Sequence, residues 1–190
     1  MKAIIFSLLG WMFLPVMDGF AKFLSDDLPV LQITWARYFF TVVFTLPIMI
    51  FFFKKQLVWS DKPKLQILRG LILLSANICF FYAISIISLA KALTLAFVAP
   101  LIVTAFSPIL LGEKVGFRRW TAVVVGFIGS LVVIRPGFVE LNFASLAALG
   151  TGILYGFYLI ITRKLSTSDN PLLTLLLTGM VGAVIVSVII

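Results

Sequence analysis

Long apolar stretches without a charged residue constrain this chain more than any other feature. Four of them, at 70–90, 92–112, 141–162 and 170–190, contain no Asp, Glu, Lys or Arg. A helix that crosses the hydrocarbon core of a bilayer needs about 20 mostly apolar residues. The pattern therefore predicts an all-α, polytopic membrane bundle of about seven helices, near residues 3–24, 30–53, 66–88, 91–111, 118–134, 142–163 and 171–190.

The composition excludes several classes of protein. Hydrophobic residues make up 62% of the chain and charged residues 12%, whereas a soluble domain has about 25% charged residues. A single Cys79 and the absence of His leave no basis for a disulfide within the chain, a Cys or His metal site, or Ser-His catalysis. An enzyme, a metal and a cofactor are therefore not expected. The net charge of +8 is spread between apolar segments, so nucleic acid is not an expected partner.

The distribution of Lys and Arg predicts an orientation. Eleven basic residues fall in one set of loops together with the N-terminus, Arg69 among them, and three fall in the opposite set. Because cytoplasmic loops carry the excess of Lys and Arg, the N-terminus is predicted to be cytoplasmic. The expected location is the inner (plasma) membrane, with multiple passes.

Two further patterns suggest part of a repeated architecture. Residues 181–190 are almost wholly apolar to the end, which predicts that the intact protein continues. Residues 21–29 and 162–171 each end an apolar helix with a basic residue, Leu-Ser, an acid and Pro. The period is five helices, so the second unit is inverted, as in many transporters. We expect a first repeat at 1–137 and two helices of a second repeat at 138–190, although helix exits in general share such residues.

Four residues of the first helix, Trp11, Pro15, Asp18 and Lys22, are spaced to lie on one stripe. A carboxylate within a membrane helix costs about 2.5–3.5 kcal/mol on insertion scales and faces protein or water. Asp18 is therefore a candidate for binding a proton or substrate in a cavity. An ion pair with Lys22 near the headgroups explains the same residues equally well.

Three other positions are candidates for coupling or gating. Arg37 in the second helix has Asp18 and the loop acids as candidate partners, or else is an interfacial Arg in an aromatic belt. Pro100 frees a backbone carbonyl in the fourth helix, which predicts a kink beside a cavity or a simple packing kink. Glu113 opposes the macrodipole at the end of that helix, so it is expected to form a salt bridge or cytoplasmic gate with Lys114, Arg118 or Arg119.

The sixth helix has a stripe of hydroxyl groups at Thr151, Tyr155, Tyr158 and Thr162. The stripe predicts either a pathway for an amphipathic substrate or hydrogen bonding between helices. Small-residue pairs such as Gly152 with Gly156 and Gly126 with Ser130 predict close helix packing. Asn77 and Tyr82 are further polar candidates on different faces of the third helix. The candidate substrate-binding residues are Trp11, Asp18, Asn77, Tyr82, Tyr155 and Tyr158, and the candidate coupling or gating residues are Asp18, Lys22, Arg37, Pro100 and Glu113.

A family resemblance covers about residues 3–190, and its most specific part lies in the second half of the chain. Ala99-Pro100-Leu101, Leu110 to Lys114, Gly126 to Gly129 and Val132 to Gly137 resemble the drug/metabolite transporter superfamily, and its EamA-domain family in particular. The resemblance implies a ten-helix fold of two inverted five-helix repeats around a central cavity. It also implies uptake or efflux of small organic metabolites, with both termini cytoplasmic.

The sequence as a whole predicts a secondary transporter that moves a small organic metabolite or drug by alternating access. The expected partners are the lipid bilayer, the substrate, a proton or counter-substrate, and a second copy in a homodimer. The alternatives are a small-multidrug-type efflux subunit that acts as an oligomer, although such a subunit has four helices and a Glu in the first, or a membrane fragment that does not transport.

Overall fold

The structure, a computed structural model, describes residues 2–52, 60–134, 142–166 and 168–190. Side chains are described except at 2–11, 52, 130 and 133–134. The candidate Trp11 side chain and the expected repeat boundary at 137–138 thus lie outside the described residues. The regular secondary structure of the described part is all helical, with segments α1 (Lys2–Leu24), α2 (Val30–Phe52), α3 (Pro63–Ile86), α4 (Leu89–Ala96), α5 (Ala99–Leu111), α6 (Phe117–Ile134), α7 (Phe143–Leu165) and α8 (Pro171–Ile189).

The helices confirm the prediction of a polytopic membrane bundle. Within the described ranges, five helices are long and apolar enough to cross a membrane: α2, α3, α4 with α5, α7 and α8. The predicted break between the third and fourth helices lies at Ser88, whose side chain caps α4 by accepting a hydrogen bond from the Lys91 amide.

The predicted fourth helix is discontinuous. It is interrupted at Phe97 and Val98, so that α4 ends at Ala96 and α5 begins at Ala99. Pro100 occupies the first turn of α5, where a missing N–H costs least. The irregularity predicted at Pro100 thus takes the form of a break between two helices immediately before this residue.

The core is formed by α2, α3, α7 and α8, and α4 and α5 pack against α7. Small residues allow the close approaches that the sequence predicts for α7. A Cβ added to Gly156 would lie 2.7 Å from Ile102 Cβ, and one added to Gly152 would lie 2.6 Å from the carbonyl oxygen of Ala96. Gly126, by contrast, has nothing within 4 Å of such a Cβ, so the predicted close packing of α6 at this residue is not formed among the described residues.

Two side-chain contacts bring three loops to the same end of the bundle. Asp169, between α7 and α8, bonds to residues at the start of α3, and Glu113, after α5, pairs with Arg163 at the end of α7. We call this end the basic end, because Lys62, Lys64 and Lys114 also lie in these loops or beside them. The opposite end contains the α1–α2 loop and the turn between α3 and α4.

Candidate functional site

A cavity of about 720 Å³ lies between α1 and α2, with Phe81 of α3 and Leu175 of α8 also lining it. Its walls are mainly apolar and aromatic, with Phe20, Phe40 and Phe44 among the lining residues. Polar side chains reach it from α2 alone, at Gln32, Arg37, Thr41 and Thr45. The cavity therefore combines a cationic group with apolar surface.

Arg37 is the cationic group of this cavity. Its guanidinium carbon lies 5.8 Å from the centre of the Phe81 ring, close enough for a cation–π interaction. The half-buried Asp18 of α1 interacts electrostatically with Arg37. Among these described side chains, no ion pair within 4.0 Å joins Asp18 to Lys22 or to Arg37, so the Asp18–Lys22 pair considered from the sequence is not formed.

A second polar cluster lies inside the bundle around Arg69 of α3. Counting Arg69 among the loop charges was wrong, because its side chain is within α3 and only 4% of the residue is exposed. Its Nε donates to Thr162 Oγ1 (2.7 Å) and its Nη2 to Tyr158 Oη (2.7 Å), both on α7. Its Nη1 donates to Thr178 Oγ1 (2.5 Å) and to the Thr174 carbonyl oxygen (3.2 Å) on α8. One guanidinium thus joins three helices.

Asp169 extends this cluster towards the loops of the basic end. Its carboxylate accepts hydrogen bonds from Ser60 Oγ and from Gln66 Nε2, the latter at 2.6 Å. Gln66 Nε2 also donates to Thr174 Oγ1 at 3.1 Å, and Thr174 in turn contacts Arg69. Burial alone would raise the pKa of the Asp169 carboxyl, but these hydrogen bonds stabilise its charged form and lower the pKa below the usual value.

Two of the predicted substrate-binding tyrosines lie beside the Arg69 cluster. The rings of Tyr155 and Tyr158 are stacked with centres 5.4 Å apart, and Arg69 lies 4.6 Å from the centre of the Tyr158 ring. Farther along α3, the predicted Asn77 is buried and donates to Tyr38 Oη at 2.6 Å. Tyr82 is 40% exposed on another face of α3, so the structure does not bring it to the other candidates.

Glu113 forms a salt bridge, as the sequence predicts, but its nearest partner is not one of the predicted residues. Arg119 is at 4.0 Å, as one of the predicted partners, but Arg163 of α7 is much closer, at 2.8 Å. Both basic side chains are about half exposed. The pair therefore links the α5–α6 loop to α7 at the basic end.

The residues that the sequence interpretation missed are Arg69, Gln66 and Asp169. A local signal existed for Arg69, because a helix that begins at Pro63 places it in the second turn rather than in the loop. Another signal was the pair of hydroxyl residues at Thr174 and Thr178, one turn apart on α8. Among the described residues, no group of three His, Cys, Asp or Glu side chains is placed to hold a metal ion.

Comparison with known proteins gives a family and several named relatives. The chain is 26% identical over 182 residues to the S-adenosylmethionine uptake transporter of Rickettsia bellii, which covers 93% of this chain and 62% of the relative. It is 26% identical to the riboflavin transporter of Vibrio cholerae, in an alignment that covers 82% of this chain and 53% of that relative. It is 30% identical to the pseudopaline exporter CntI of Pseudomonas aeruginosa, in an alignment that covers 64% of this chain and 42% of that relative.

The chain spans about three fifths of the length of the first of these relatives. No solved structure gives a significant match. The pattern of the EamA-like transporter family, in contrast, matches residues 1–135, which is more than two thirds of the chain and includes α1 to α6. The chain therefore belongs to the EamA-like transporter family.

Proposed function

We propose that this chain is part of a secondary transporter that moves a small organic metabolite or drug across the cytoplasmic membrane by alternating access. The observation that carries the proposal is the α1–α2 cavity, which lies in a chain of a transporter family. Its volume of about 720 Å³ falls within the usual range for small-molecule sites, about 300–1,000 Å³. The relatives named for S-adenosylmethionine, riboflavin and pseudopaline support a substrate of this general size.

The lining of the cavity favours an amphipathic substrate with an anionic group. The aromatic side chains of Phe20, Phe40 and Phe44 offer apolar surface, and Arg37 offers a guanidinium that suits a carboxylate or phosphate. The first experiment measures uptake into membrane vesicles that contain the protein expressed from its intact gene. S-adenosylmethionine and riboflavin are the first probes, followed by small carboxylates. Absence of transport for every probe, in vesicles with verified protein, would contradict the proposal.

Substitution of Arg37 tests the role of its charge. For a transported anionic substrate, Arg37→Ala is expected to raise KM about tenfold, because a partly exposed charged hydrogen bond contributes about 1.5 kcal/mol. Arg37→Lys keeps the charge and is expected to retain most of the affinity. The measurement is the initial uptake rate as a function of substrate concentration. An unchanged KM in Arg37→Ala would remove Arg37 from substrate binding.

Asp18 is proposed as the coupling residue. It lies half-buried on α1, next in sequence to Met17, which lines the cavity. Asp18→Asn is expected to abolish uptake driven by a proton gradient and to spare exchange of substrate across the membrane. Both rates are measured in the same vesicles, with and without an imposed gradient. Normal driven uptake in the variant would exclude Asp18 from coupling.

An inverted repeat and a cytoplasmic N-terminus complete the proposal. The α1 exit and the α7 exit make the same local hydrogen bond: Ser25 Oγ donates to the Lys22 carbonyl (2.6 Å), and Ser166 Oγ donates to the Arg163 carbonyl (2.8 Å). The two exits lie at opposite ends of the bundle, which supports two units of opposite orientation. The basic end is then the cytoplasmic end, by the excess of Lys and Arg in its loops.

A further inference from the structure

Polar contacts attach the α7–α8 hairpin to the preceding helices mainly at the basic end. Arg69 bonds to both helices of the hairpin, and Gln66 bonds to Asp169 and Thr174. The Glu113–Arg163 ion pair adds a contact from the α5–α6 loop. These contacts all cross the boundary between the proposed first repeat and the start of the second.

The opposite end of the same boundary is joined differently. There Ala148 of α7 packs in a buried apolar cluster with Ala83, Ile84 and Ala92. Two described polar contacts lie away from the basic end: Trp35 Nε1 donates to Ser187 Oγ at 2.7 Å, and Thr151 Oγ1 of α7 donates to the Ala76 carbonyl oxygen of α3 at 3.3 Å. The hairpin is thus held by charged groups and hydroxyls at one end and mainly by apolar packing at the other.

The partners of Arg69 make its attachment reversible. In the described structure they are hydroxyl groups, a backbone carbonyl and the Tyr158 ring, so no carboxylate contacts the guanidinium directly. The nearest acid in the network is Asp169, which is connected through Gln66 and Thr174. A buried charge is poorly compensated when its hydrogen-bond partners are all neutral groups. Water that enters between the helices can therefore replace the hydroxyl partners of Arg69.

We propose that Arg69, with Gln66 and Asp169, is a gate that closes the basic end between α3 and the α7–α8 hairpin. The described conformation is the one in which this gate is closed. Opening separates the hairpin from α3 at this end, and water then solvates the guanidinium and the carboxylate. This role rests on the proposed transport function, because a gate requires a pathway.

A cysteine reporter tests the gate without any knowledge of the substrate. Cys79 is the only cysteine, so Cys79→Ala gives a background without thiols. Ala76→Cys places the reporter seven residues beyond Arg69, two turns along the same face of α3, at a residue that is 2% exposed. A membrane-impermeant maleimide is then applied from the basic side of the vesicles, and the rate of labelling is measured.

Opening the gate is expected to expose the reporter. Arg69→Gln and Asp169→Asn should each raise the labelling rate at least tenfold, because each removes a charged group of the network. Trp35→Phe, which breaks a polar contact away from the basic end, should leave the rate from the basic side within about twofold. An unchanged rate in correctly folded Arg69→Gln and Asp169→Asn chains would overturn the proposal, as would an equal increase in Trp35→Phe.

A disulfide gives a second measurement that leaves Arg69 in place. A Cβ at Gly70 would lie 3.0 Å from Val181 Cβ, near the separation of about 3.5–4.5 Å that a disulfide requires. The pair Gly70→Cys with Val181→Cys, in the Cys79→Ala background, should lock α8 on α3 when oxidised. Transport should stop, and a reductant should restore it.

The matched control for the disulfide is Val181→Cys alone, which the oxidant should not affect. Continued transport by a fully oxidised double variant would overturn the gate. Failure of the proposed function has a different signature: the unsubstituted chain would show no transport of any probe. The labelling experiment distinguishes the two, because it reports on the gate whether or not a substrate is known.

Discussion

Replacement of Gly152 by alanine is expected to destabilise the bundle by about 2–3 kcal/mol, near the upper end of the usual cost of overpacking. The new Cβ would lie 2.6 Å from the carbonyl oxygen of Ala96 and in steric conflict with Val98 Cγ1. The oxygen belongs to the backbone at the break between α4 and α5, so no side-chain rotation relieves the contact. α7 would have to move away from both half-helices.

The same substitution two residues earlier is the control for Gly152→Ala. Gly150 is on α7 as well, but nothing lies within 4 Å of a Cβ added there. Gly150→Ala is therefore expected to be neutral or to stabilise by up to about 1 kcal/mol, since alanine favours the helix. Thermal unfolding of both variants in detergent, followed by circular dichroism, gives the comparison. Equal melting temperatures would contradict the close packing of α7 on α4 and α5.

Features that depend on local sequence could be predicted. The apolar stretches predicted the helices, because length and hydrophobicity alone identify membrane spans. The proline at position 100 predicted a kink, because a missing N–H acts within the same helix, and the structure has a break between two helices at this place. The glycines at 152 and 156 predicted close packing, although the sequence did not indicate that the broken helix is the partner.

Features that depend on distant partners could not be predicted in the same way. Arg69 was assigned to a loop because Lys62 and Lys64, shortly before it, do lie in or beside that loop. Its hydrogen-bond partners on α7 and α8 are 89 to 109 residues away in the chain. Arg163 likewise pairs with Glu113 through the approach of α7 to the α5–α6 loop, and no local pattern records that approach. The candidate site was therefore predictable by residue type and helical face, but not by pairing.

Asp169→Ala is expected to cost about 3 kcal/mol at neutral pH. The carboxylate accepts hydrogen bonds from Ser60 and Gln66, and hydrogen bonds to charged groups contribute about 1.5–3 kcal/mol each. Their loss leaves the Gln66 amide, which is 1% exposed, without its acceptor on the loop. It also removes the negative charge closest to Arg69 in the network.

The effect of Asp169→Ala should depend on pH in a defined direction. The pKa of Asp169 is lowered in the folded chain, so the unfolded chain binds the proton more tightly than the folded chain does. The stabilisation is therefore fully present above the unfolded-state pKa of about 3.9, and it is lost as the pH falls through the folded-state value. The melting temperatures of the unsubstituted chain and the variant should differ most near neutral pH and converge below about pH 4.

Asp27→Ala is the matched control, because Asp27 is an exposed aspartate in the α1–α2 loop. Its removal is expected to change stability by less than about 0.5 kcal/mol, as is usual for surface positions. Melting temperatures of the three chains, measured in the same detergent from pH 3 to pH 8, separate a buried acceptor from a general effect of charge. If the melting temperatures of Asp169→Ala and of the unsubstituted chain differed by the same amount at every pH in that range, the ionised carboxylate would not be the group that stabilises the contact between α3 and the α7–α8 loop.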